Sequence, residues 1–156
     1  MRFAVVLALA CSLMSSPANA WWSYAKWGMT VQELEQASGG KLEACDLTCR
    51  NPINGFHPTF RIRNVSAADM KGDAFFAFDP SGRLNWTILT FDEEAAFGAL
   101  ERALTGVYGA SVDKVRTSVK VTTWRNGDKE TTIRLVDFGG KLAGTFVEYR
   151  PTPKGL

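Results

Sequence analysis

The spacing of apolar and polar positions changes several times along the chain, and each change predicts an element. Phe3 to Met14 is an apolar stretch preceded by Arg2. It is too short for a spanning helix, which needs about twenty apolar residues. Ser15-Ser16-Pro17 breaks it, and Ala18-Asn19-Ala20 is the small-x-small pattern that signal peptidase cuts. This layout predicts a cleaved signal peptide over residues 1–20 and a mature chain beginning at Trp21. Cys11, after Ala8-Leu9-Ala10, offers a rival lipoprotein reading. That reading leaves an apolar region of only about eight residues and strands the better cleavage pattern downstream.

Beyond the leader the pattern becomes helical, then alternating. Thr30 and Glu33 form a capping box, with Met29 and Leu34 at the positions of a hydrophobic staple and Gly39-Gly40 as the stop. These predict a short first helix. Lys41 to Ala44 suggests a short strand. In Thr59–Asn64, Phe60 and Ile62 share one face and Arg61 and Arg63 the other, the signature of a half-buried strand. Asp73–Phe78 and Arg83–Phe91 predict a hairpin around Asp79-Pro80-Ser81-Gly82, a type I turn with glycine placed for a left-handed residue. A second helix is expected over about Asp92–Tyr108, capped by Asp92 with Glu93 and Glu94 at the positive end of its dipole. Ala96, Leu100, Ala103, Leu104 and Val107 would face a sheet, flanked by Phe97. Three strands follow, at roughly Lys114–Arg125, Lys129–Asp137 and Leu142–Arg150.

Asn126-Gly127 between the first two of these strands normally signals a two-residue turn. That register sets Ile133 opposite Lys120 and Val121 opposite Thr132. A three-residue loop, Asn126 to Asp128, instead pairs Val121 with Ile133 and Val119 with Leu135. Cross-strand partners share a face, which favours the odd-length loop or a bulge. The whole pattern predicts an α+β fold. It has an antiparallel sheet with two helices packed on one face, and a helix-then-strands plan that occurs twice. Residues 21–156, 136 in number, match one ordinary domain.

Charge and cysteine content narrow the function classes. The leader removes one basic residue, leaving 17 basic against 16 acidic and a charge of +1. Nucleic-acid binders need a concentrated basic face, so this balance argues against such a partner. The clusters Arg61/Arg63 and Arg116/Lys120 read as solvated sheet faces. With Cys11 gone, Cys45 and Cys49 remain, and in an oxidising compartment they predict one disulfide. Residues four apart in a strand lie about 13 Å apart, too far for the Cα separation of roughly 4.4–6.8 Å that a disulfide allows. Cys45–Cys49 must therefore be a turn or a single helical turn if bonded. A redox-active pair would more usually have two intervening residues.

The chain offers little catalytic chemistry. His57 is the single histidine, in a loop before Pro58, and no Gly-x-Ser-x-Gly elbow accompanies it. Ser66 and Asp69 are only its sequence neighbours. Zinc spacing and calcium-loop spacing are lacking, with Asp69, Asp73 and Asp79 scattered, and Gly39-Gly40 is no phosphate loop. No catalytic residue, metal ligand or cofactor is expected. Large amphipathic side chains at Trp21, Trp22 and Tyr24, with Trp124 at a strand end, are candidate binding residues. For Trp27 and Trp124, packing in the core is the competing expectation.

Four strings carry a resemblance: Trp27-Gly28-Met29-Thr30-x-x-Glu33-Leu34, Phe76-x-Phe78-Asp79-x-x-Gly82-x-Leu84, Leu104-x-x-x-Tyr108-Gly109 and Trp124-x-x-Gly127. Together they resemble a loose class of small bacterial exported proteins, some with the β-lactamase-inhibitor-protein-like fold shared with a small outer-membrane assembly lipoprotein. The matched positions are turns, caps and core residues. The chain departs from that class by lacking a convincing lipobox and by inserting the Cys45–Cys49 loop. The resemblance implies a non-enzymatic, protein-binding or envelope role and carries over no functional residue. The expectation is a periplasmic or secreted binding domain with no membrane-spanning segment in its mature chain, its partner another envelope protein. The rival readings are a small periplasmic hydrolase using Asp/Glu carboxylates and a binder of a small apolar ligand.

Overall fold

The computed structural model describes residues 24–153 apart from 47, 48, 50–54, 68, 92–96, 128, 129 and 140–143. The expected leader, Trp21, Trp22 and the proposed cap residues Asp92 to Glu94 lie outside the described residues. Two helices and eight strands follow in chain order: α1 (Val31–Ala37), β1 (Glu43–Ala44), β2 (Phe60–Ala67), β3 (Met70–Phe78), β4 (Leu84–Phe91), α2 (Phe97–Tyr108), β5 (Asp113–Arg116), β6 (Lys120–Asn126), β7 (Thr131–Asp137) and β8 (Thr145–Pro151). The strands form one sheet in the order β1-β2-β3-β4-β8-β7-β6-β5, antiparallel throughout. The fold is therefore α+β, and the last strand of the chain, β8, lies at the sheet's centre against β4.

Local signals explain the element ends. The capping box of α1 forms in both directions, Thr30 Oγ1 accepting from Glu33 N–H and Glu33 accepting from Thr30 N–H at 2.7 Å. Asp79 N–H donates to Arg83 O and Gly82 N–H to Asp79 O, closing the β3–β4 turn with Gly82 at φ 76°. Gly72 has a different role. A Cβ there would stand 1.8 Å from the carbonyl oxygen of Thr90, so only glycine allows β3 and β4 to approach.

Side chains on successive strand residues point to opposite sides, and both sides are used. On one, Trp124, Ile133, Tyr149, Thr87, Phe76 and Phe60 form a row across six strands. Leu34 of α1 and Leu100 and Leu104 of α2 pack into the same cluster, which draws on both halves of the chain. Both helices thus cover this side. The other side carries a second cluster of Phe56, Ala77, Ile88, Val136 and Phe146, to which neither helix contributes.

Three expectations fail in instructive ways. The strand expected over Lys114–Arg125 is two strands, β5 and β6, joined by a tight loop at 117–119. Thr117 makes that turn with its hydroxyl, donating to Val119 O at 3.0 Å and accepting from Val119 N–H. No glycine, proline or asparagine marks it. Arg116 and Lys120 are therefore cross-strand partners, both over the Phe97 ring, and not two positions on one strand. The β6–β7 register also differs: Val121 pairs with Val136 and Trp124 with Ile133, around a four-residue loop at 127–130. Glu130 there has φ 45° and donates its N–H to Gly127 O. Val121 and Ile133 face opposite sides because both sides hold apolar clusters, so matching the apolar residues did not identify the shared face. On α2, Val107 is 37% exposed; Tyr108, one turn after Leu104, takes the inward position.

Candidate functional site

The helix-free side of the sheet concentrates charge and aromatic surface. Its central row runs Thr123–Arg134–Glu148–Ile88–Phe75–Arg61–Glu43 across β6, β7, β8, β4, β3, β2 and β1. The next row places Thr132 between Arg125 and Arg150. Glu148 sits at the middle of the sheet with its side chain only 2% exposed. Arg134 Nη1 donates to its Oε2 at 3.1 Å, and Arg150 reaches its Oε1 through both Nε and Nη2. Each carboxylate oxygen thus holds one guanidinium. Burying this charge costs several kcal/mol unless it is paired and hydrogen-bonded, of order the penalty for any buried ion, and the two arginines meet both conditions.

The arginines are anchored without being hidden. The side chains of Arg134 and Arg150 remain 33% and 38% exposed. Arg150 lies over Trp86, its guanidinium carbon 3.7 Å from the ring centroid. Phe56 meets the same indole edge-on at 4.9 Å between centroids. Arg125 is exposed beyond Thr132, and Thr132 shares a hydroxyl hydrogen bond with Thr152 at 3.1 Å. The result is a cationic and aromatic surface whose arginines Arg134 and Arg150 are held by Glu148.

Other titratable groups are tied into structure. Burial opposes the charge on Glu101, but hydrogen bonds and charge from Lys114, Thr122 and Arg116 outweigh it and hold its carboxyl below the usual range. Its Oε1 accepts from Arg116 at 2.6 Å, Thr122 at 2.9 Å and Lys114 at 3.0 Å. The Thr30 backbone N–H lowers Glu33, and the Ser81 hydroxyl lowers Asp79. Burial raises the hydroxyls of Tyr149, Tyr108 and Tyr24. The shifted carboxyls all move toward the charged form, as hydrogen bonds and nearby cations favour. Among the described residues no three His, Cys, Asp or Glu side chains gather as a metal set, and no helix is long and apolar enough to cross a membrane.

The aromatic residues singled out in the sequence are not brought together on this surface. Trp21 and Trp22 lie outside the described residues. Tyr24 is half-buried against the helix-side cluster, and Trp27 docks there with its indole N–H donating to Thr131 Oγ1 at 2.8 Å. Trp124 is fully buried in the same cluster and presents no surface for binding. Cys45 and Cys49 form a disulfide with Cα atoms 5.5 Å apart, and His57 is exposed.

Sequence reading missed Trp86, Arg134, Glu148 and Arg150. The signal lay in Ile133-Arg134-Leu135 and Val147-Glu148-Tyr149-Arg150, where charge interrupts apolar positions in strands bound for the sheet's centre. A central position makes alternating charge a buried network instead of a solvated face. Compared with known proteins, the chain matches no family model, no curated protein and no solved structure.

Proposed function

We infer that this is an exported, non-enzymatic binding domain that takes another envelope protein on the helix-free face of its sheet. The observation that carries this reading is the Trp86–Arg150–Glu148–Arg134 network. Tryptophan and arginine are the residues most enriched among energetically dominant interface contacts. Here they are held in fixed orientations yet left partly open, so binding would sacrifice little side-chain freedom. The leader-like residues 1–20 support placement outside the cytoplasm, where the Cys45–Cys49 disulfide persists.

The same reading includes a repeated plan: one helix ahead of four strands in each half. Its support is the element order and the strand order, in which β1 to β4 and β5 to β8 run inward from opposite edges to meet at β4 and β8. In-cell chemical crosslinking of the mature chain, with partners identified by mass spectrometry, tests the function. A reproducible protein adduct is expected; a chain recovered only as an unlinked monomer would overturn the reading.

A further inference from the structure

Resting on that reading, we propose that the partner offers a carboxylate side chain to the triangle of Arg125, Arg134 and Arg150 around Thr132. These arginines occupy β6, β7 and β8, three adjacent strands that lie about 4.8 Å apart. Thr132 is directly opposite both Arg125 and Arg150, and Arg134 is the next residue of β7 on the same side. Two of the three guanidiniums, those of Arg134 and Arg150, share the carboxylate of Glu148, and Arg125 is exposed beside them. That carboxylate, Glu148, is already engaged at both oxygens. Two guanidiniums on one carboxylate leave that network net positive, with unused N–H donors on Arg134, whose bond to Glu148 uses only Nη1.

Complementary charge selects the occupant. A guanidinium presents parallel N–H donors that match a carboxylate in two-point contact. Arg150 is held by the Trp86 ring and, through both Nε and Nη2, by Glu148 before the partner arrives. An anionic lipid surface instead attracts flexible polybasic segments through their summed charge. The full chain has a net charge of only +2, or +1 without residues 1–20, and two of the patch's three arginines are held in place by Glu148. The fit is to an acidic side chain on a folded or extended protein segment.

The test uses the mature chain with its arginine Nε and tryptophan Nε1 groups followed by nitrogen–proton NMR. Three probes are added separately: a ten-residue glutamate-rich peptide, the same peptide with glutamine, and vesicles of zwitterionic lipid containing phosphatidylglycerol. Saturable shifts at Arg125, Arg134, Arg150 and Trp86 are expected with the glutamate peptide alone. Binding should weaken at least tenfold in R125A, an exposed position outside the Arg134–Glu148–Arg150 ion pairs. Equal binding of the glutamine peptide, binding of vesicles without the glutamate peptide, shifts confined to other residues, or no shift with any probe would each overturn the proposal. A protein adduct from in-cell crosslinking together with a silent glutamate peptide would remove this inference and leave the binding reading standing.

Discussion

Two residues set limits that no neighbour can relieve. Gly72 is required by contact, since an added Cβ would overlap the Thr90 carbonyl in the adjacent strand. Gly72→Ala should cost about 1–3 kcal/mol, as overpacking typically does, read as a lower urea midpoint with an unchanged slope. Glu148 is required by charge. Glu148→Gln keeps the shape but leaves two guanidiniums at the sheet's centre without their anion. Removing one partner of a buried pair costs roughly 3–5 kcal/mol, and the partial exposure of both arginines places this case near the lower end. A Glu148→Gln midpoint within error of the parent would mean that the network contributes nothing to the fold.

Among the elements, α2 is fastened to the β5–β6 hairpin through Glu101, whose single oxygen takes three donors. The folded carboxyl titrates below its ordinary value, so its contribution is complete above the unfolded-state pKa and disappears as pH falls through the folded one. The margin of the parent over Glu101→Gln should therefore be present at neutral pH and vanish in acid, on the order of 1 kcal/mol or less after solvent screening. A margin that grows in acid would contradict the assignment. The Cys45–Cys49 bond closes a very short loop, and replacing both cysteines by serine should cost about 2 kcal/mol in thermal or chemical unfolding. Larger losses would mean that the bond supports more than its own turn. Elements with local punctuation were legible in the sequence: Thr30 and Glu33 bounded α1, and Asp79 to Gly82 bounded the β3–β4 hairpin. The β5–β6 turn was not legible, because Thr117 makes it with a hydroxyl in a run of strand-forming residues. The β6–β7 register was missed because apolar residues line both faces and alternation alone does not say which pairs meet.

For the whole molecule, the sheet has one side closed by helices and another left to Trp86, the arginines and a smaller aromatic cluster. The sequence pointed to binding through Trp21, Trp22, Tyr24 and Trp124; Trp124 takes the core position, its competing expectation, and Trp21 and Trp22 lie outside the described residues. The face each residue takes decides this outcome, and which face the helices cover depends on long-range packing that local patterns do not carry. β8, last in the chain, lies at the centre, where its Glu148 and Arg150 meet Arg134 and Trp86. The most direct test of the central claim compares photo-crosslinking amino acids placed singly at Thr132, on the helix-free face, and at Thr105, exposed on α2. Illumination in cells should give a discrete protein adduct from position 132 and none from position 105. Adducts from position 105 alone, or from neither position, would contradict the account.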